Sequence, residues 1–139
     1  MATIAIPISG VKIITAGATV RTGTAGAAIT AGQWLYASGT GEVSPADAST
    51  AAKATVIGIA ILNASSTEPC YYVSNNDLQI SGFSSLTENT KYVLSGTSGQ
   101  MELLSDMTTN EYVTYLCTAL EGSTTDFKIQ IEVTGQQAA

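Results

Sequence analysis

The chain has 139 residues, only 12% of them charged and none of them histidine, with a formal net charge of −6. The missing imidazole excludes histidine-based activation of a nucleophile and histidine ligation of a metal. The five basic residues, Lys12, Arg21, Lys53, Lys91 and Lys128, are scattered singly, so no basic patch offers itself to nucleic acid phosphates.

The length suits one domain that buries roughly two thirds of its unfolded surface. Charge is about half the roughly 25% of an ordinary soluble domain, and Ala, Thr, Ser and Gly take its place. Either a subunit interface is buried, since interface centres are poor in charge, or a monomer is kept in solution by its hydroxyls. No stretch approaches the roughly 18 apolar residues of a membrane span, and the first residues lack a basic start before a long apolar run. Neither a span nor a signal peptide is expected, so synthesis in a cytosol-like compartment follows.

In chain order, Ile4, Ile6 and Ile8 fall on one face of an extended segment, and Pro7 cannot donate to a sheet ladder. Residues 1–15 therefore read as an N-terminal arm or an edge strand, ahead of one β domain over 16–139. Val11 to Ile14 and Ala18 to Arg21 read as short strands, and Thr24 to Ala28 as a flexible approach. After a turn at Ala31-Gly32, Gln33 to Ser38 is a strand with Trp34 and Tyr36 on one face and Leu35 on the other. A glycine with positive φ closes the hairpin at Ser38-Gly39-Thr40-Gly41 into Glu42-Val43-Ser44. Ser44-Pro45-Ala46-Asp47 carries a helix-start signal, so the alanine-rich run to Ala54 is either a short helix or an ordered loop. Thr55 to Leu62 is a buried strand in which Gly58 marks a bulge or a close backbone approach.

Asn63 to Glu68 reads as a loop, Cys70 to Ser74 as a strand, and Asn75-Asn76-Asp77 as a turn into Leu78-Gln79-Ile80. The pattern then repeats, with the two copies spanning 26–62 and 83–120. Ile29-Thr30 matches Leu86-Thr87, Leu35-Tyr36 matches Tyr92-Val93, Glu42-Val43 matches Gln100-Met101, and Ile59-Ala60-Ile61 matches Thr118-Ala119-Leu120. Asp126 to Val133 alternates Phe127, Ile129, Ile131 and Val133 with polar residues, the strongest strand signal in the chain. Gly135 to Ala139 reads as a frayed tail. The expected fold is all-β: a barrel or sandwich of two related β-units with at most one short helix.

Catalytic chemistry finds little purchase. No Gly-x-Ser-x-Gly or Ser-x-x-Lys motif occurs. The acid pairs Glu42/Asp47 and Glu102/Asp106 fall at turns and strand ends, where solvated carboxylates are the norm. The glycines sit in hairpins rather than before a helix, so no phosphate loop is present. Cys70 and Cys117 lie in apolar runs and read as buried free thiols. Trp34 and the tyrosines 36, 71, 72, 92, 112 and 115 read as core or interface residues ahead of a carbohydrate platform. No enzyme activity, cofactor or metal is expected.

The run Gly26-x-x-Ile29-Thr30-Ala31-Gly32-Gln33-Trp34-Leu35-Tyr36, the glycine hairpin, Glu42-Val43-Ser44-Pro45-Ala46 and Val56-Ile57-Gly58-Ile59-Ala60 resemble the capsid decoration, or cement, proteins of tailed bacteriophages. Gly82-Phe83-Ser84-Ser85-Leu86 through Lys91-Tyr92-Val93-Leu94-Ser95 to Gly99-Gln100-Met101 looks like the companion module of phage structural β-domains. Together the two cover residues 26 to 133. The resemblance implies a β-barrel-like protomer, usually a homotrimer, that sits on the outer surface of the virion head and clamps the major capsid protein, with synthesis in the host cytoplasm and no contact with membrane or nucleic acid. It transfers no catalytic residue, and the N-terminal arm has its own sequence. The residues singled out for capsid or trimer contacts are Ile4, Ile6, Ile8 and Trp34. The alternative is a head-fibre or tail-fibre base module with glycan-binding capacity.

Overall fold

A computed structural model gives the fold and describes residues 3–4, 12–13, 20–74, 79–83, 89–107, 111–123, 126–131, 133–134 and 137–138. The protein is all-β. The first unit comprises β3 (Val20–Ala25), β4 (Trp34–Gly39), β5 (Glu42–Pro45), β6 (Val56–Ala60) and β7 (Pro69–Val73). These close into a barrel in the order β3-β5-β4-β6-β7. The closing contact, β3 against β5, is the parallel one, pairing Thr24 with Glu42 and Ala25 with Val43. The second unit comprises β8 (Gln79–Phe83), β9 (Lys91–Leu94), β10 (Met101–Glu102), β12 (Tyr115–Ser123) and β13 (Asp126–Ile131). The N-terminal strands β1 (Thr3–Ile4) and β2 (Lys12–Ile13) complete its sheet, in the order β1-β10-β9-β12-β13-β8-β2.

One strand order therefore occurs twice, and its registers agree residue by residue. In the first unit Trp34 pairs with Ile59, Leu35 with Gly58 and Tyr36 with Val56, with a bulge after Leu35. In the second, Lys91 pairs with Thr118, Tyr92 with Cys117 and Val93 with Tyr115, with a bulge at the same step. The neighbouring ladder matches as well: Ala37–Val43 and Tyr36–Ser44 correspond to Leu94–Met101 and Val93–Glu102. The units differ at closure. β3 and β5 pair directly, whereas β8 holds β2 and β10 holds β1, both antiparallel.

Side-chain alternation explains the two cores. On β4, Leu35 points with Ala25, Val43, Ala60 and Cys70 into the barrel, where small residues suit a narrow lumen. Trp34 points the other way, and Tyr36 packs against the same larger core. There Trp34, Ile59 and Val73 meet Tyr92, Leu94, Met101, Ile129 and Ile131 of the second unit, so a single core joins the halves. Gly58 allows the barrel to tighten, because a Cβ there would lie 2.5 Å from the Val73 carbonyl oxygen. Gly32 and Gly41 turn with φ of 92° and 69°, the left-handed region that glycine enters without strain.

Of the two alternatives for the alanine-rich run the ordered loop forms, and two other expectations change. No helix forms over 44–54: Ser44 and Pro45 belong to β5, and the alanine-rich run is an ordered loop holding one helical bond, Ala54 N–H to Thr50 O at 3.0 Å. Partners from the second unit outcompete helix propensity. The Ala48 N–H donates to Ser95 O at 3.0 Å, the Gly99 N–H to Ala46 O at 2.6 Å, and the Thr114 hydroxyl to Ala54 O at 2.7 Å. Ala46, Ala48 and Ala54 are fully buried, and their small size lets these backbones meet. Thr24 and Ala25, expected in a flexible approach, lie in β3. In the expected frayed tail, Gln137–Ala138 form β14, which pairs with β11 (Tyr112–Val113). The one helical element among the described residues is a 3-10 turn, η1 (Leu104–Asp106). The turn expected at Asn75-Asn76-Asp77 lies outside the described residues.

Candidate functional site

Of the residues singled out from sequence, the structure describes the side-chain surroundings of Trp34 alone. Trp34 is 1% exposed and sits in the core between the units. Its main chain bonds both ways, the N–H to Gly99 O at 3.1 Å and the carbonyl from the Ala46 N–H at 2.8 Å. An indole so placed offers no face to a sugar ring. Its counterpart in the second unit, Lys91, is exposed, with the ammonium 6.0 Å from the centre of the Tyr115 ring. The same ladder position is thus covered by the second unit in one copy and open to water in the other. Ile4 belongs to β1 and pairs with Met101 at one end of the larger sheet. Ile6 and Ile8 lie outside the described residues.

The two cysteines are free and buried, and burial pushes the Cys70 thiol up from its ordinary value, which keeps it protonated and unreactive. Among the described residues, no three His, Cys, Asp or Glu side chains are grouped to hold a metal ion. A shallow depression of about 330 Å³ lies at the barrel end, where Ile29 and Ala64 form an isolated bridge. Its polar walls are already committed: Asn63 Oδ1 accepts from the Ala31 N–H at 2.8 Å, and Glu68 Oε1 accepts from the Ser65 N–H at 2.9 Å. On the outer barrel surface Ser38 bridges Glu42 and Ser44 at 2.9 Å each, and Tyr71 is 39% exposed.

The feature with distinctive chemistry lies at the β1–β10 edge. Glu102 and Asp47 were expected to be solvated, and both are buried, at 0% and 7% exposure. Asp47 is provided for: its Oδ1 accepts from the Ser49 N–H at 2.9 Å and from the Ser49 hydroxyl. Glu102 is not, since neither carboxylate oxygen has a hydrogen-bond partner. Its carboxyl is raised from 4.5 to about 7, first by burial and then by the negative charges of Glu111 and Asp106, while the chain's amino terminus acts in the opposite direction. A carboxyl that titrates near neutrality is a feature of acid–base sites. Here the side chain is closed from solvent and lies on β10, next to the edge strand β1. Sequence reasoning missed it because two-residue β10 looks like a strand end until β1 is laid against it.

No family model and no curated protein matches the chain.

Proposed function

We propose that the chain is a virion structural protein, a capsid decoration protein that binds the outer surface of a phage head as a homotrimer and stabilises the shell of major capsid protein. The observation that carries this reading is where the family-like segments fall. Ile29 to Tyr36, the glycine hairpin and Val56 to Ala60 lead into or form β4, β5 and β6, and Lys91 to Met101 forms the matching β9–β10 ladder. The described surface is supportive, being rich in hydroxyls and small side chains. A small trimer touching several shell subunits gains avidity from individually weak contacts. Preferential binding to the assembled shell stabilises it by linkage.

Sedimentation velocity of the purified chain, together with co-sedimentation on expanded phage capsids, tests the reading. A trimer that co-sediments with capsids is expected. A monomer at micromolar concentration that leaves capsids bare overturns the proposal, and glycan-array binding without particle attachment transfers the protein to the fibre-base class.

A further inference from the structure

The matched registers identify what is peculiar about Glu102. Ser44 holds the same place in the first unit, since Tyr36–Ser44 and Val93–Glu102 are equivalent pairs. There the side chain is a hydroxyl with a partner, Ser38 Oγ at 2.9 Å. The second unit puts a carboxyl at that position, buries it completely and gives neither oxygen a donor. Beyond this residue the units also diverge in closure. β5 is sealed by β3, the first strand of its own unit, whereas β10 is sealed by β1, where Thr3 pairs with Glu102 and Ile4 with Met101.

An ionised carboxylate without donors is costly in a closed environment, and it finds relief by taking a proton or by reaching water. On one side of Glu102, β9 is fixed within the sheet between β10 and β12. On the other, β1 is an edge strand paired through two residues. The cheapest route to water therefore runs past β1. Among the described residues, the charged groups that act on the carboxyl are Asp106 of η1 and Glu111 ahead of β11, which oppose its charge, while the chain's amino terminus favours it.

We propose that Glu102 is a proton-operated latch for the N-terminal strand: β1 stays docked on β10 while the carboxyl is neutral and lifts when it ionises. The docked form seals the edge of the sheet. The lifted form leaves β10 with unpaired backbone groups, the surface that proteins otherwise cover or charge. The direction follows from linkage. The docked state holds the proton more tightly than the open one, so docking is strongest below the ordinary carboxyl value and weakens as pH rises toward about 7. A carboxyl moved from 4.5 to about 7 carries at most about a 300-fold change in the docking equilibrium. The inference rests on the β1–β10 ladder and not on the shell reading.

Hydrogen exchange of the full chain, followed by mass spectrometry at about pH 5 and about pH 8 and corrected for intrinsic exchange rates, tests it. The peptide holding Thr3 and Ile4 should lose ten-fold or more in protection at the higher pH, while peptides of β4 and β6 keep theirs. Glu102→Gln, neutral at every pH, should hold the low-pH protection throughout. In the unaltered chain, carbon NMR of the Glu102 carboxyl should titrate with the same midpoint as the loss of protection. Equal protection of the N-terminal peptide at both pH values, a pH dependence that survives Glu102→Gln, joint loss in β4 and β6, or midpoints that disagree would each overturn the latch.

Discussion

Trp34→Ala tests whether the indole is a keystone between the two β-units. Trp34 is 1% exposed and packs in the core that the barrel shares with the second sheet. A buried tryptophan removes about 150–250 Å² from water, which at about 25 cal/mol/Å² amounts to about 4–6 kcal/mol. That figure is an upper bound because the unfolded chain already shields part of its surface, and tryptophan-to-alanine changes in cores cost about 3–5 kcal/mol. An unfolding entropy of about 2.1 cal/mol/K per residue over 139 residues means that each kcal/mol moves Tm by about 3.4 °C. Trp34→Ala should therefore lower Tm by about 10–17 °C. Trp34→Phe separates packing from polarity. The indole Nε1 is buried without an acceptor, so phenylalanine keeps most of the ring and removes an unsatisfied donor, and the loss should stay below about 1.5 kcal/mol. Far-UV circular dichroism is the assay, because the variants lack the chain's single tryptophan. A Tm within about 3 °C of the parent for Trp34→Ala, or equal losses in the two variants, would refute the packing account.

Two further predictions follow from buried positions. Gly58→Ala places a methyl 2.5 Å from Val73 O and 2.8 Å from Tyr72 Cδ2, so backbone must move; chemical denaturation should register a loss of about 2–3 kcal/mol, and a loss under about 0.5 kcal/mol would show that the barrel is not closed as tightly as described. Cys70 and Cys117 are 0% and 1% exposed, so a thiol reagent should label them only as fast as the protein opens, and urea should accelerate the reaction; immediate labelling of both in buffer contradicts their burial.

Much of the fold is legible in local sequence because local terms decide it. Positive φ at Gly32 and Gly41 marks the turns around β4, and alternation separates Leu35 from Trp34 and Tyr36. Apolar flanks announce the buried thiols. The aligned pairs Leu35/Tyr92, Val43/Met101 and Ala60/Ala119 hold matching ladder positions, since one strand order needs inward side chains at the same steps. The helix signal at Ser44 to Asp47 misleads for an equally physical reason. Capping is worth about a kilocalorie per mole, less than the strand pairing of β5 and the bonds that Ala46 and Ala48 make to the second unit.

The chain by itself determines that it is a β protein of small, uncharged residues with no imidazole chemistry, because composition and period-two patterning are properties of neighbours in sequence. Only the tertiary structure decides how each unit is closed, by β3 on β5 in one and by β1 and β2 at the ends of the other. Only it decides that Glu102, in a two-residue strand that reads as a solvated end, is sealed without a hydrogen-bond partner. The ladder that pairs Glu102 with Thr3 joins residues some hundred positions apart in the chain, and no local pattern encodes a contact at such separation.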